Sequence, residues 1–172
     1  MSATNVKLVE VTQEQKEILA NLMQFYLYEA TEFSDDDINS SGKLSLGKYF
    51  DAYWRESERH PFFIKDKCRL VGFALVRQTG EKKYSISEFF VMRKHRRSGI
   101  GKMAAFLLFQ KFQAEWHVAQ EQDNVTALLF WKFIIREYTN DNFQGTFSLG
   151  QSKGPKQVFH SRVLQANDAK QP

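Results

Sequence analysis

The sequence predicts an α/β (α+β) fold in which a mixed sheet is flanked by helices. Amphipathic helical patterns alternate with short runs rich in β-branched and aromatic residues. Some of these runs are joined by tight turns, as in hairpins, and others are separated by helix-length segments, as in β-α-β crossovers. The chain has 172 residues, is 42% hydrophobic and contains 16 Phe. It is therefore long and apolar enough to bury a core without disulfides or metals.

The N-terminal half is predicted to contain two helices followed by three strands. A helix over Thr12–Tyr28 begins with a capping residue, Thr12, and has Gln15 three positions later. Helical spacing of aromatic residues predicts a second, short helix between Leu46 and Trp54. The strands are expected over Pro61–Lys65, Leu70–Arg77 and Tyr84–Met92, with turns at 66–68 and 79–81.

The C-terminal half is predicted to alternate helices and strands. After a basic loop, the segment Lys102–Gln113 is apolar almost all round, which is typical of a helix packed inside a protein. A second helix is expected over Val125–Tyr138, capped by Asp123 or Asn124. Strands are expected over Glu115–Ala119, Asn142–Leu149 and Gln157–Leu164, before a polar tail at 165–172.

Composition excludes several classes of protein. No apolar run approaches the roughly 20 residues that span a bilayer, and the N-terminus lacks a signal-peptide pattern. Cys68 is the single cysteine, which excludes an intramolecular disulfide and fits a reducing, cytoplasmic compartment. The four histidines have no metal-ligand spacing, so no metal site is expected. A net charge of +4 permits an anionic ligand without implying nucleic acid.

The most informative segment is SEFFVMRKHRRSGIGKMAAFLLFQKF, residues 87–112. A strand ends, a basic loop turns, two glycines follow and an apolar helix begins. Glycines at a helix N-terminus leave backbone N–H groups pointing outward, and the helix dipole adds partial positive charge there. Phosphate is the usual anion at such a position, so the segment predicts a phosphate-binding loop.

Two familiar phosphate motifs fit this segment poorly. Gly99–Ala104 matches the dinucleotide pattern G-x-G-x-x-A, and Glu121 lies near the distance expected for a ribose-binding acid. However, seven residues, 92–98, separate the strand from the first glycine, and the chain lacks the repeated β-α units of a dinucleotide fold. The pattern G-x-x-x-x-G-K-[ST] fails because Arg96 stands at its first glycine and Met103 follows Lys102.

A third pattern matches better. Residues 96–101, RRSGIG, resemble the [QR]-x-x-G-x-[GA] signature of the GNAT superfamily, the acetyl-CoA-dependent N-acetyltransferases. The strand that ends in residues 88–91 resembles the strand that presents the acetyl thioester in that family. The sequence from Asn124 to Phe133 is similar to the family's N-x-x-A-x-x-F-Y segment.

The resemblance implies a mixed, mostly antiparallel sheet of six to seven strands with about four helices, in a single N-acetyltransferase domain over residues 1–164. It also implies transfer of an acetyl group from acetyl-CoA to a primary amine in a ternary complex. Backbone amides near Val91 and Met92 would polarise the thioester carbonyl. The resemblance assigns acetyl-CoA contacts to Val91, Met92, Arg96, Arg97, Ser98, Gly99, Ile100, Gly101, Lys102, Asn124 and Trp131.

The catalytic residues are less well defined. Many family members have a tyrosine that protonates the leaving thiolate where this chain has Trp131, and an indole N–H is not a usable acid near neutral pH. Tyr138, two turns later, is a candidate substitute, although a core or substrate-contact role is the competing interpretation. Glu88 is the only carboxylate in the strand Tyr84–Met92 and is the candidate base. A structural role on the opposite face of the strand is the competing interpretation, because bases of the resembled family tend to fall on the face that Ser85 and Ser87 would occupy.

The acceptor is expected to be a small-molecule or peptide amine that is cationic when free. Carboxylates cluster in the segment that commonly walls the acceptor site of the family, where they would attract an ammonium group: Glu29, Glu32, Asp35, Asp36 and Asp37. A solvated acidic loop is the competing interpretation. The alternative functions are a CoA-binding sensor without catalysis and a nucleic-acid-binding module using Arg93–Arg97. We expect no nucleic-acid or membrane partner, while exposed strand edges make homodimers common in such folds.

Overall fold

The computed structural model describes residues 5–121, 123–145 and 154–161, and within them seven strands form one sheet. The strand order is β1-β2-β3-β4-β5-β7-β6. The strands are β1 Val6–Glu10, β2 Arg59–Asp66, β3 Arg69–Gly80, β4 Lys83–Val91, β5 Glu115–Ala119, β6 Gln144–Gly145 and β7 Lys156–His160. The α-helices are α1 Lys16–Ala30, α2 Ile100–Lys111 and α3 Val125–Thr139.

The sheet is mixed and mostly antiparallel. The pairs β1–β2, β2–β3, β5–β7 and β6–β7 are antiparallel, whereas β4 and β5 are parallel. Parallel neighbours need a crossover connection, and α2 supplies it between β4 and β5. The predicted fold class and strand number are therefore confirmed.

The second predicted helix, between Leu46 and Trp54, is shorter than expected. Only residues Asp51–Trp54 of the segment 46–54 are helical, and they form a short 3-10 helix. Trp54 packs edge-on against Phe50 at 5.2 Å between ring centroids, and its indole N–H donates to the Val11 carbonyl at 3.0 Å. Packing of the aromatic residues, and not a longer helix, accounts for their spacing in the sequence.

The sequence analysis also missed β1. Val6–Glu10 pairs with β2 from Val6 opposite Asp66 to Glu10 opposite Phe62. The strand has only five residues, and its two charged members, Lys7 and Glu10, obscure the apolar alternation. Its pairing therefore depends on a partner about 55 residues away in the chain, which local pattern does not reveal.

The other elements lie within a few residues of their predicted positions. The first helix begins as a 3-10 turn at Gln13–Gln15, where the Thr12 N–H donates to Gln15 Oε1 at 3.3 Å, and continues as α1 to Ala30. The second turn lies at 81–82, and β5 matches its prediction. The predicted strand ends at 146–149 and 162–164 and the tail at 165–172 lie outside the described residues.

The described residues form two compact units. The first comprises the chain up to Arg77 together with Ile86–Gly101. Its core is a cluster of apolar side chains from α1, β2, β3 and β4, including Leu19, Phe63 and Phe73, which are at most 2% exposed. The prediction of a single domain over 1–164 stays a prediction.

The second unit comprises Gln78–Ser85 and the chain from Lys102 onward. Its core is aromatic: Phe109 packs against Trp116 and against Phe159, with 5.0 Å between ring centroids in each pair. Among the described residues, no helix is long and apolar enough to cross a membrane.

Candidate active site

The basic loop between β4 and α2 has an unusual backbone. Arg93–His95 form a 3-10 turn and Arg96 is extended, whereas Arg97 has φ 59° and Gly99 has φ 83°. The Ser98 hydroxyl donates to the His95 carbonyl at 2.7 Å. Successive residues of opposite handedness turn their amides toward one concave surface, which is a common anion-binding geometry. Since α2 begins at Ile100, its unpaired first-turn amides extend this surface.

Gly99 leaves space for a ligand at this loop. A Cβ built on Gly99 would meet no protein atom within 4 Å, so the glycine is not required for packing. Its positive φ favours glycine, and the missing side chain exposes the backbone to an approaching group. The diphosphate contact that the resemblance implies for this loop stays a prediction.

Arg96 uses its side chain within the protein. Its Nε donates to the Val91 carbonyl at 2.6 Å, its Nη2 donates to Glu29 Oε2 at 2.6 Å, and its backbone N–H donates to the Arg93 carbonyl at 3.1 Å. The guanidinium also lies 5.6 Å from the centre of the Phe90 ring. These contacts indicate a positioning role for Arg96, and direct contact with acetyl-CoA stays a prediction for Arg96 as for residues 97–101.

One of the five carboxylates proposed to attract the acceptor, Glu29, is paired within the protein. Glu29 lies in the last turn of α1 and accepts hydrogen bonds from both Arg93, at 2.9 Å, and Arg96. Two guanidinium groups satisfy its charge, so it is a poor attractor for an acceptor ammonium. Glu32 and the three aspartates are exposed and keep that predicted role: Asp35, Asp36 and Asp37.

The C-terminal end of β4 is held close to β3. The Met92 N–H donates to the Val71 carbonyl at 2.9 Å. A Cβ on Gly72 would lie closer than 3.0 Å to the Phe90 carbonyl oxygen, so only glycine permits this approach. The Met92 amide is thus paired within the protein, and its proposed polarisation of a thioester and its acetyl-CoA contact stay predictions. The role of Val91 stays a prediction.

A buried tyrosine joins the middle of β4 to the segment before β2. The Tyr53 hydroxyl hydrogen-bonds with Ser87 and Arg59, and burial raises the pKa of this phenol above its ordinary value. The charge of Glu88, the next residue of β4, raises that pKa further. Glu88 is itself half-buried, and its role as a base stays a prediction.

Arg59 completes this group. Its side chain is 5% exposed and its Nε donates to Glu56 Oε2 at 2.6 Å. The guanidinium lies 4.8 Å from the centre of the Tyr49 ring and 5.4 Å from that of Tyr53. Charge pairing and ring stacking together make the burial of this cation possible.

The helix α3 carries the remaining candidates. The Asn124 side chain accepts from the Ala127 N–H at 2.8 Å, which confirms it as the N-cap. Trp131 is 5% exposed and packs edge-on against Phe130 at 4.9 Å between ring centroids. The acetyl-CoA contacts of Asn124 and Trp131 stay predictions.

Tyr138 lies in the core of the second unit. Its ring is 5% exposed and lies 5.0 Å from both the Phe106 and the Phe109 rings, measured between centroids. This packing confirms the core interpretation, and its role as an acid stays a prediction. Lys102, in the first turn of α2, pairs with Glu137 at 2.8 Å and lies 6.0 Å from the centre of the Phe133 ring.

Three contributors to the site left no sign in the sequence. Glu29 forms ion pairs with the loop, Gly72 allows β3 to approach Phe90 closely, and Tyr53 hydrogen-bonds with Ser87. The alternation of β4 did place Ser85 and Ser87 on the face that carries catalytic bases in the resembled family. The alternation gave no indication that the Tyr53 hydroxyl would meet Ser87, because Tyr53 comes from a distant, short 3-10 helix.

One comparison with known proteins identifies a family. The family model for the acetyltransferase (GNAT) family matches residues 22–133. No curated protein sequence matches the chain significantly.

Solved structures show the same fold at low identity. An acetyltransferase from Thermus thermophilus is 14% identical, with a TM-score of 0.63, and the match covers 93% of this chain and 99% of that one. The ribosomal-protein-S18-alanine N-acetyltransferase from Escherichia coli is 10% identical, with a TM-score of 0.61 and coverage of 95% and 98%. PaiA N-acetyltransferase from Thermoplasma acidophilum, in complex with coenzyme A, is 11% identical, with a TM-score of 0.58 and coverage of 91% and 99%.

Proposed function

Because the chain belongs to the acetyltransferase (GNAT) family, we propose that it moves an acetyl group from acetyl-CoA to a primary amine. Transfer is direct, within a ternary complex of enzyme, acetyl-CoA and acceptor. The observation that carries the proposal is the loop of residues 96–101, where left-handed Arg97 and Gly99 lead into the first turn of α2. A solved neighbour in complex with coenzyme A supports the choice of ligand.

Acetyl-CoA supplies the acetyl group in activated form, as a thioester. The acceptor nitrogen forms a bond to the carbonyl carbon, and the carbon–sulfur bond breaks to release the thiolate. The loop amides of residues 97–101 hold the diphosphate, and the end of β4 at Val91 orients the acetyl group. Arg96 and Gly72 act indirectly, because they fix the end of β4 relative to the loop.

Two protons must move in this reaction. The acceptor ammonium loses a proton before attack, and Glu88 takes it through a water. The released thiolate gains a proton. Since Trp131 stands where a tyrosine acid is usual in the family, the proton comes from water or from Tyr138. If neither route operates, the chain binds coenzyme A without turnover, which is the sensor function kept as the alternative.

The acceptor is a cationic amine, because four exposed carboxylates would attract its ammonium group: Glu32, Asp35, Asp36 and Asp37. A cytoplasmic location and a homodimer remain expectations from the single cysteine and from the family. Thiol release from acetyl-CoA, measured across aminoglycosides, polyamines, amino acids and peptides, tests the acceptor class.

Calorimetry with acetyl-CoA tests the site. Gly99→Val should abolish binding while the fold survives, because the new side chain enters open space at the loop and meets no protein atom. Gly42→Val is the matched control, since Gly42 also has a positive φ, 70°, and open space around a built Cβ. Unchanged affinity in Gly99→Val would show that the site assignment is wrong.

A further inference from the structure

We propose that the cavity between α1 and residues 39–51 binds a small phosphate monoester that has an apolar body. The cavity has a volume of about 440 Å³, which is within the range of small-molecule sites. All of its lining residues lie in the first compact unit, and none of them belongs to the loop at 96–101. The inference is therefore independent of the proposed acetyl transfer.

Contacts within the protein fix the walls of this cavity. The Gln24 side chain accepts from the Leu44 N–H at 2.8 Å and donates to the Leu44 carbonyl at 3.0 Å, which ties residues 39–51 to α1. Leu44 and Phe50, which also line the cavity, are buried at 7% and 5% exposure. An ion pair of 2.7 Å between Lys16 and Asp51 connects α1 to the end of the segment. A preformed cavity binds a ligand at a low cost in conformational entropy.

Most hydrogen-bond acceptors on the lining side chains are already used. Asn39 Oδ1 accepts from the N–H groups of Ser41 and Lys43, at 2.9 and 3.2 Å. The Asp51 carboxylate is the only one among the lining residues that the structure describes. Its hydrogen bond with Lys16 lowers its pKa, so the carboxylate stays ionised and its charge is neutralised. The lining therefore offers little to attract a cation.

The lining groups that keep unused capacity are mainly donors. Within the described part of the chain, neither Lys43 nor Lys48 forms an ion pair, and the Lys48 ammonium lies 4.8 Å from the centre of the Tyr49 ring. The Asn39 NH2 group and the Ser45 hydroxyl hydrogen meet no acceptor among the same residues. Two positive charges and two neutral donors thus line one cavity, a set that selects an anion.

These groups match a phosphate monoester. Such a phosphate carries about 1.5–2 negative charges near neutral pH and has three strongly accepting oxygens, so it can use both ammonium groups and a neutral donor at once. A carboxylate has a single charge and would leave one lysine unpaired. The side chains of Ala20, Leu46 and Phe50 also line the cavity and suit an apolar body attached to the phosphate.

Calorimetric titration with phenyl phosphate tests the site, because this probe joins a phosphate monoester to an apolar ring. We expect saturable binding to the wild type, weaker binding of inorganic phosphate and of benzoate, and no binding of benzyl alcohol. Lys43→Ala and Lys48→Ala should each weaken phenyl phosphate about tenfold, the effect of losing one charge-assisted contact. Asn21→Phe should weaken it without removing a charge, because the larger side chain takes up part of the cavity.

Matched controls separate this site from general effects of charge. Lys43→Arg keeps the positive charge and should bind phenyl phosphate nearly as well as the wild type does. Lys7→Ala removes an exposed cation of β1 that lies outside the lining, and it should leave the affinity unchanged. Gly99→Val should also bind phenyl phosphate normally, because the loop at 96–101 takes no part. Circular dichroism confirms that each variant is folded.

The outcomes distinguish this inference from the proposed function. It is overturned if the wild type shows no saturable binding of phenyl phosphate below about 10 mM, or if Lys43→Ala and Lys48→Ala bind the probe as tightly as the wild type. Loss of binding in Gly99→Val alone would overturn it and locate the probe at the loop. Benzoate that binds as tightly as phenyl phosphate would overturn the choice of phosphate. Failure of acetyl-CoA to bind would reject the proposed function and leave this inference standing.

Discussion

Arg96 and Glu29 lie 67 positions apart in the chain, and their side chains meet at 2.6 Å between Nη2 and Oε2. Arg96 also donates to the Val91 carbonyl, so one guanidinium connects the last turn of α1 to the end of β4. These are the elements that border the proposed acceptor and thioester positions. A signature residue predicted to contact the ligand thus also connects the two elements around it.

Arg96→Ala should lower the free energy of unfolding by about 1–2 kcal/mol, because it removes hydrogen bonds of a charged group that is only partly exposed. Arg93→Ala is the control. It breaks a bond to the same Glu29, but the Arg93 side chain is 75% exposed, so the expected loss is about 0.5 kcal/mol or less. Urea denaturation measures the free energy of unfolding of both variants. Equal losses would contradict the positioning role of Arg96.

Gly72→Ala should destabilise the protein by about 1–3 kcal/mol, because the added methyl group overlaps the backbone of β4 at Phe90. It should also weaken acetyl-CoA binding, since the end of β4 must move. Gly80→Ala is the matched control in the same strand: its Cβ would meet the Lys83 side chain at an ordinary 3.5 Å. A change of about 0.5 kcal/mol or less is expected there. Similar results for the two variants would argue against a close approach at Gly72.

Glu88→Gln should lower kcat with a proven acceptor by about 100-fold and remove the acidic limb of the pH–rate profile, because the amide cannot accept the acceptor's proton. Acetyl-CoA affinity should be unchanged. Glu81→Gln, at an exposed turn before the same strand, should keep the wild-type profile. An unchanged rate across pH in Glu88→Gln would reject the base and leave bulk water or Tyr138 as the proton route.

Replacing Asp35, Asp36 and Asp37 together by asparagine should raise the KM for a cationic acceptor severalfold, because long-range attraction is lost. The wild-type KM should rise with salt and approach that of the variant, since salt screens exposed charges. Steady-state kinetics at two ionic strengths measure this. Activity that favours a neutral or acidic acceptor would show that these carboxylates are a solvated loop only.

Tyr53 should titrate at higher pH than an ordinary tyrosine, whose pKa is about 10, because burial raises the pKa of its phenol. The stability that depends on the neutral phenol is then complete below pH 10 and is lost as the pH rises through the folded-state pKa. The tyrosinate absorbance of wild type minus that of Tyr53→Phe isolates this titration. A difference curve centred at or below pH 10 would contradict burial of the hydroxyl.

The elements that the sequence predicted well are specified locally. Asn124 followed by a helical apolar pattern predicts α3 and its cap, and β5 alternates half-buried polar residues with the buried Trp116 and Val118. The loop at 96–101 is equally local, since glycine positions and flanking patterns are contained in a dozen residues. For this reason the fold class and the proposed ligand loop followed from the sequence.

The features that escaped prediction depend on contacts between distant segments. The Tyr53 hydroxyl meets Ser87, Glu29 meets Arg96, and Gly72 is required only because Phe90 lies against it. None of these pairs leaves a periodic signal. The charged residues of the loop looked alike in the sequence, and only the structure distinguishes Arg96, whose side chain donates to the Val91 carbonyl, from Arg97, whose backbone is left-handed.

The place of β1 in the strand order has a consequence for solubility. β1 stands at one end of the sheet, next to β2, whose residues Phe62, Phe63 and Ile64 are almost wholly buried. A five-residue edge strand that carries a charged side chain, Lys7, is a poor template for pairing with another molecule. Trimming the chain past Glu10 would turn the eight-residue, aromatic-rich β2 into the new edge, and self-association through unpaired backbone amides would follow.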